Sequence, residues 1–453
     1  LLAAVDAEGN DTGELSLSTG SLNTTDLTNR SYSSNQSFGV NASVSVNGED
    51  TSPEGVNRDV AQVNKEIYDV DRQQGNIDLT VDHRLLSEDG RKEIRQQLKA
   101  LPDNLEQVAN DLVDAIEKGL DPGAGLRAAS NAEIMKMVRE HLAELPEDER
   151  QEIMQFVGVF IDGTGNNKYN DIASGEETNV AILSELYDVE ASPLYYEGVG
   201  SSWYSALTCG LTGCGGQARA SEALEDIGGQ WLGGDTILMI DVIGFSRGST
   251  QGVQLTNKIL QDGIPGVPQE NIVINGAYLF DTVSSTGIPG NDVDIGYDLS
   301  VRSVVPTFHA VAGNEYRGLF GLQSQNYSDG SFPGNVVEQE FFGAHSDIGG
   351  GYAPREQEKE NSLSSIPLQW MHENAVNNGS PFSPIPTQYQ VPASLQKLYD
   401  AAASGDDSAY QKLEEDYIHD SRYFWERWQN DKTRPVYYPR GVVVKKNWPP
   451  VYS

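Results

Sequence analysis

Cysteine is nearly absent, with two among 453 residues. Cys209 and Cys214 lie in Thr208-Cys-Gly-Leu-Thr-Gly-Cys-Gly-Gly216. Their spacing permits a small disulfide loop in an oxidising compartment, or equally two free thiols. No second Cys or His pair lies near enough to complete a zinc site, so no metal is expected. Basic residues are also scarce, 31 against 67 acidic ones, for a formal charge of −36. Phosphate binding needs Lys and Arg to replace counterions, so nucleic acid is excluded as a partner. The same balance gives no general attraction to anionic membranes. Peripheral contact through a local patch stays open, because fields fade over about 10 Å in ordinary salt. A saline habitat accounts for the acidity equally well. Long apolar runs are missing too. The longest, Thr236 to Phe245, is interrupted by Asp241 and is too short to cross a bilayer. The first residue is Leu1 rather than Met and no signal-peptide pattern follows, so a processed form or a piece of a longer chain is expected.

What is present divides the chain in three. Residues 1–86 are rich in Ser, Thr, Asn and Gly, with short alternating runs such as Val40-Asn-Ala-Ser-Val-Ser-Val46. That composition suits exposed β-strands or disorder. Residues 87–150 read as helices. Asp103 is placed to cap one carrying Leu105, Val108, Leu112 and Ile116, and a second begins near Asn131 with Ile134, Val138 and Leu142 on one face. Residues 151–453 are expected to form one further domain, with a helical elaboration at the C-terminal end.

From Phe156 onward, short apolar runs each end in Gly, Asp or Ser. Val157–Ile161 leads into Asp162-Gly-Thr-Gly, and Thr236–Ile240 leads towards Gly244-Phe-Ser-Arg-Gly248. Ile272–Phe280 leads into Asp281, and Val336–Phe342 into Gly343-Ala-His-Ser-Asp-Ile-Gly-Gly-Gly351. Buried parallel strands read this way, and ligands bind beyond their carboxyl ends. The expected fold is α/β, a mostly parallel sheet flanked by helices.

Gly244-Phe-Ser-Arg-Gly248 fits the G-x-S-x-G nucleophile elbow, after a strand and before a helix (Thr250 to Leu260) as that motif requires. Ser246 is the expected nucleophile. A serine hydroxyl needs a base, and the base needs a carboxylate to orient it. Six histidines exist. His83 and His141 precede the serine, in the expected helical segment. His309 lies inside an apolar run and reads as a core residue, and His372 sits in a helical stretch. His345, in a glycine-flanked loop past a strand, is the preferred base, with His419 its rival. Asp281 is the preferred acid, since a rigid strand end holds an imidazole better than a loop neighbour does. Asp347 and, more weakly, Asp298 are alternatives, Asp347 also serving to brace the loop. The oxyanion hole needs backbone N–H groups, expected from Arg247 and from Gly163 or Thr164, with Asp162 in support. Metal and cofactor are expected to be absent from the mechanism.

In these motifs the sequence resembles the type VI secretion phospholipase effector family. The matching pieces are Phe160-Ile-Asp-Gly-Thr-Gly-Asn-Asn167, Thr178-Asn-Val180, Tyr196-Glu-Gly-Val-Gly-Ser201, the elbow, Phe280-Asp-Thr-Val-Ser284 and Gly343 to Tyr352. They occur in the family's order over about residues 155–380. The resemblance implies an α/β-hydrolase fold, a triad of Ser246, Asp281 and His345, and hydrolysis of glycerophospholipid esters by a toxin delivered to rival bacteria. It also implies secretion or delivery to the target-cell periplasm, with an immunity protein or a secretion-apparatus component as partner. The sequence departs from the family at Asp241, at Ser249 and in having no Leu- and Phe-rich lid helix. Ser21 to Ser34 and Asp78 to Leu86 are similar to segments of filamentous haemagglutinin-type exoproteins, implying a toxin at the end of a secreted filament. Two rival readings are a carboxylesterase for soluble esters and a non-catalytic adhesin with a degenerate hydrolase fold.

Overall fold

The computed structural model describes residues 28–34, 64–72, 122–198, 216–283, 304–318, 320–326, 334–422, 433–438 and 443–447. It divides into two compact units, Leu1–Glu144 with Leu260–Asp262, and Leu145–Ile259 with Gly263–Ser453. In the first, β1 (Thr28–Ser34) pairs antiparallel with β2 (Asn64–Arg72), with a register shift between Arg30 and Tyr32. Helix α1 (Pro122–Glu144) begins nine residues before the expected Asn131. Its Ala128, Ala132, Met135 and Leu142 are buried, while Ile134 and Val138 are only half-buried. The expected Asp103 helix, the Val40–Val46 run, Cys209, Cys214 and Asp298 all lie outside the described residues.

The second unit is built on a six-stranded sheet. Its elements are α2 (Glu147–Ile153), β3 (Met154–Ile161), α3 (Lys168–Asp171), α4 (Asn179–Leu186), β4 (Leu194–Tyr196), α5 (Gly216–Gln230), β5 (Ile237–Phe245), α6 (Arg247–Asp262) and β6 (Ile272–Phe280). Then come β7 (Thr307–Ala312), β8 (Leu322–Gln323), β9 (Val336–Phe341), α7 (His345–Gly349), α8 (Ser365–Asn377), α9 (Ala393–Ala403), α10 (Asp407–Asp416), β10 (Thr433–Tyr437) and β11 (Val443–Asn447). The strand order is β4-β3-β5-β6-β7-β9, and every pair is parallel. This is the α/β fold that the apolar runs announce.

Every residue of β5 and β6 is buried, because the sheet is covered on both faces. Such strands need near-continuous apolar sequence, and Asp241 is the exception. It is fully buried in β5, where Tyr187 donates its hydroxyl to Oδ2 and Asn275 donates Nδ2 to Oδ1, both at 2.8 Å. Ser249 is also buried, donating to the Phe280 carbonyl at 3.2 Å. Both departures from the family pattern are thus satisfied by hydrogen bonds.

After β3 the chain runs outward to β4, then returns to β5 on the other side of β3. The sheet therefore reverses its direction of growth between β3 and β5, and such a switch point leaves a crevice beyond the carboxyl ends of the two strands. Beside this sheet lies a three-stranded one of order β11-β10-β8. It is attached at the carboxyl end of β6, where Gln323 donates its N–H to the Thr282 carbonyl at 2.8 Å.

Candidate active site

Ser246 follows β5 directly and opens α6, with φ 58° and ψ −124°. That left-handed conformation is unfavourable for a residue with a side chain and is held by its surroundings. Ser246 donates its N–H to Phe280 O at 2.9 Å, and its own carbonyl accepts from Val283 N–H at 3.3 Å. The flanking glycines are required by close approach. A Cβ on Gly248 would stand 2.2 Å from the Ile161 carbonyl oxygen, and one on Gly244 2.6 Å from Ser249 Cα. The elbow can fold back over β3 only because those positions carry no side chain.

Asp281 directly follows β6, also at positive φ (39°), and is fully buried. Its Oδ2 receives His345 Nδ1 at 2.6 Å. Its Oδ1 receives Ala312 N–H at 2.9 Å. His345 opens α7, just beyond β9, and its ring lies between two phenylalanines. Phe245, the neighbour of Ser246, packs at 4.6 Å between ring centroids, and Phe320 meets it edge-on at 5.0 Å. The imidazole is therefore fixed by the residue that precedes the serine. With Nδ1 facing a carboxylate, the proton belongs on Nδ1 and Nε2 is left as the basic nitrogen.

Electrostatics favour this neutral form. Burial pushes the His345 pKa below the usual 6.5, and this outweighs the opposing pull of Asp281. Burial alone would raise the Asp281 carboxyl, but Arg434 first and His345 second hold it well below the ordinary carboxylate range. Arg434 Nη1 meets Oδ1 and Nη2 meets Oδ2, each at 2.8 Å. No motif pointed to this arginine. The one signal is alternation in Thr433-Arg-Pro-Val-Tyr437, where Arg434 shares the buried face of β10 with Val436. A second acid also touches the histidine. Glu315 Oε2 accepts the His345 backbone N–H at 3.2 Å and is paired with Arg317 at 2.8 Å. The Arg317 guanidinium lies over Phe320, 3.4 Å from its centroid.

Across the switch point, the loop after β3 carries Asp162, Gly163 and Thr164. The Gly163 N–H already donates to Asp162 Oδ1 at 2.7 Å. Asp162 Oδ2 receives the hydroxyls of Thr178 (2.8 Å) and Tyr195 (2.5 Å). Burial outweighs these donors and pushes the carboxyl up to about 6. Arg247 Nη1 donates to Thr164 Oγ1 at 3.0 Å, tying the residue after the serine to that loop.

Of the other histidines, His83 lies outside the described residues, His141 is exposed on α1, and three are distinguished by their partners. His309 is fully buried in β7, with Nδ1 on Glu338 at 2.9 Å and Nε2 accepting Thr282 N–H at 3.1 Å. His372 Nε2 bonds the Ser383 carbonyl at 2.9 Å. His419 and Asp347, respectively the rival base and an alternative acid, are bonded to each other at 2.7 Å. Among the described residues no cluster of three or more His, Cys, Asp or Glu could hold a metal.

Residues 254–374 match the T6SS phospholipase effector Tle1-like catalytic domain. The chain thus carries a Tle1-like segment, a little over a quarter of its length. That segment contains Asp281 and His345 and begins eight residues after Ser246. Among solved structures, the chain is similar to an uncharacterized protein from Pseudomonas aeruginosa at 19% identity and a TM-score of 0.43. The alignment covers 61% of this chain and 53% of that one, so it spans about half the length of that protein. A Tle1 effector solved bound to the VgrG spike of the type 6 secretion system aligns at 20% identity and a TM-score of 0.41. There the coverage is 60% of this chain and 82% of the other. No curated protein matches the sequence.

Proposed function

We propose that the protein is a serine-dependent phospholipase acting by acyl transfer. The reading is carried by the 2.6 Å bond between Asp281 and His345, on a histidine packed against the Ser246 elbow beside the switch point of the sheet. The Tle1-like segment supports the same class, an ester hydrolase of the phospholipase effector type.

In this mechanism Ser246 Oγ attacks the ester carbonyl carbon while His345 Nε2 takes its proton. The oxyanion accepts the backbone N–H groups of Arg247 and Thr164, since that of Gly163 is held by Asp162. Collapse breaks the bond to the alcohol oxygen, and His345 returns the proton to it, releasing the lysolipid. Water then attacks the acyl-serine with His345 again as base, and the fatty acid leaves. Asp281 keeps the proton on Nδ1 and stabilises the imidazolium between steps.

Delivery to a rival cell, acting from its periplasm, fits the same class. So does a secretion-apparatus partner, as the Tle1 effector that aligns was solved on a VgrG spike. An immunity protein is expected with it. Among the described residues no helix is long and apolar enough to cross a membrane. The test is fatty-acid release from zwitterionic and anionic phospholipid vesicles, with Ser246→Ala as control and a short-chain soluble ester alongside. Serine-dependent release from vesicles supports the proposal. Hydrolysis of the soluble ester alone makes the protein a carboxylesterase, and no hydrolysis of either makes it a non-catalytic relative.

A further inference from the structure

Arg434 stands outside every motif and is the largest fully buried side chain of the described residues. A guanidinium without water needs all its donors placed, and this one is locked on three sides. Besides the fork onto Asp281, Nε donates to the Phe320 carbonyl at 2.7 Å. Phe320 is the residue whose ring meets His345 edge-on. One side chain therefore holds both the acid and a wall of the histidine's slot. It reaches them from β10, 153 residues further along the chain than Asp281.

The charges around the pair are few. Asp281 faces Arg434 and His345. His345 faces Asp281, the Glu315 carboxylate at its backbone N–H, and Arg317. Glu315 and Arg317 neutralise each other through a bidentate contact. What remains is one carboxylate between a guanidinium cation and an imidazole, and the bidentate guanidinium is the stronger partner. The negative charge that would otherwise favour a protonated His345 is therefore divided.

Resting on the serine-hydrolase reading above, we propose that Arg434 is a positioning residue of the site. Its fork fixes Asp281 with Oδ2 on His345, and its charge sets the pH below which His345 stops acting as a base. Strand β10 is then a working part of the active site and not an appendage to it.

The experiment uses the full chain as wild type, Arg434→Lys and Arg434→Met, with Ser246→Ala as control. The readouts are kcat and KM on a soluble ester against pH, and the rate of fluorophosphonate labelling, with the folded fraction counted by titration of reactive serine. Arg434→Lys keeps the charge and loses the fork. It should lower kcat by about 10- to 100-fold, with KM and the acid limb of the pH profile close to wild type. Arg434→Met removes the charge and should move the acid limb up by about one pH unit. Wild-type kcat in Arg434→Lys overturns the role of the fork, whether or not Arg434→Met folds. An acid limb that stays in place or moves down in folded Arg434→Met overturns the role of the charge. Wild type that takes up no label removes the serine reading and this proposal with it, an outcome distinct from labelling that the Arg434 variants leave unchanged.

Discussion

Asp347 grips His419 and the start of the His345 helix at the same time. Its Oδ1 meets His419 Nδ1 at 2.7 Å, and its Oδ2 receives the backbone N–H groups of His419 and Ala344, both at 2.9 Å. The Tyr352 ring stacks on His419 at 3.9 Å between centroids. The site region therefore holds two His–Asp pairs, and the residues that open them, His345 and Asp347, share one five-residue helix.

The second pair has a structural consequence. His419→Phe keeps the ring packing on Tyr352 but removes a donor from a buried carboxylate, at a cost of roughly 1–3 kcal/mol. His419→Asn keeps a donor near the Nδ1 position and should recover part of that loss. Urea denaturation of the two variants checks the order. Equal stability of His419→Phe and wild type would show that the grip on α7 contributes nothing.

The pH profile follows from the burial of His345. Its pKa is depressed, so the imidazole stays neutral below 6.5, and the acid limb of kcat/KM should fall below that value. The sign for stability is consistent with this. The unfolded chain binds a proton at His345 more readily than the folded one, so this group's contribution is complete above 6.5 and is lost as pH falls. Asp281, whose folded pKa is depressed, likewise contributes above the ordinary carboxylate range and fails in acid. A profile on a soluble ester between pH 4 and 8 tests the first point, and an acid limb above 6.5 contradicts it.

Asp281→Asn separates the electrostatic role of the acid from its shape. The amide can turn an N–H towards Nδ1, which leaves the proton on Nε2 where a base is needed. A loss on the order of 10⁴ in kcat is expected. Arg434 is left in the variant facing a neutral group, so some loss of stability accompanies it. A decrease of less than about tenfold, measured on folded protein, would place the base elsewhere.

The elbow can be tested by adding a single carbon. Gly248→Ala puts a Cβ 2.2 Å from the Ile161 carbonyl oxygen and 2.6 Å from that of Asp162, so α6 must move away from the end of β3. Overpacking of this kind costs about 1–3 kcal/mol. The shift also separates Arg247 from Thr164, so labelling of Ser246 should slow more than thermal stability falls. Unchanged labelling in Gly248→Ala would mean that the contact between α6 and β3 does not matter to the serine.

Much of this was legible in the sequence, for a physical reason. Strands buried on both faces must be written as apolar runs, so β5, β6 and the buried second half of β3 could be read directly, and their ends carried the polar residues, whereas the edge strand β9 is buried only at Val336 and Phe341. The turn at Ser246 was legible because its strained backbone demands glycines on either side. The place of Asp281, directly after the strand next in line, was legible too. Arg434 was not, since an arginine in a short C-terminal strand looks like any solvated charge until the fold carries it to Asp281. The choice between His345 and His419 was open for a similar reason. Both follow the serine and both have an aspartate in reach. Only the tertiary arrangement shows that Asp347 turns to His419, 72 residues away, and leaves His345 to Asp281. The early start of α1 reflects Pro122, a residue well suited to a helix's first turn, although the apolar spacing emerges only later.

The most direct measurement is mass spectrometry of the full chain after reaction with a fluorophosphonate, with the labelled peptide sequenced. The account requires one adduct, on Ser246, that is lost in Ser246→Ala and formed far more slowly in His345→Ala. An adduct on another serine, or labelling of Ser246 that His345→Ala leaves untouched, would contradict it.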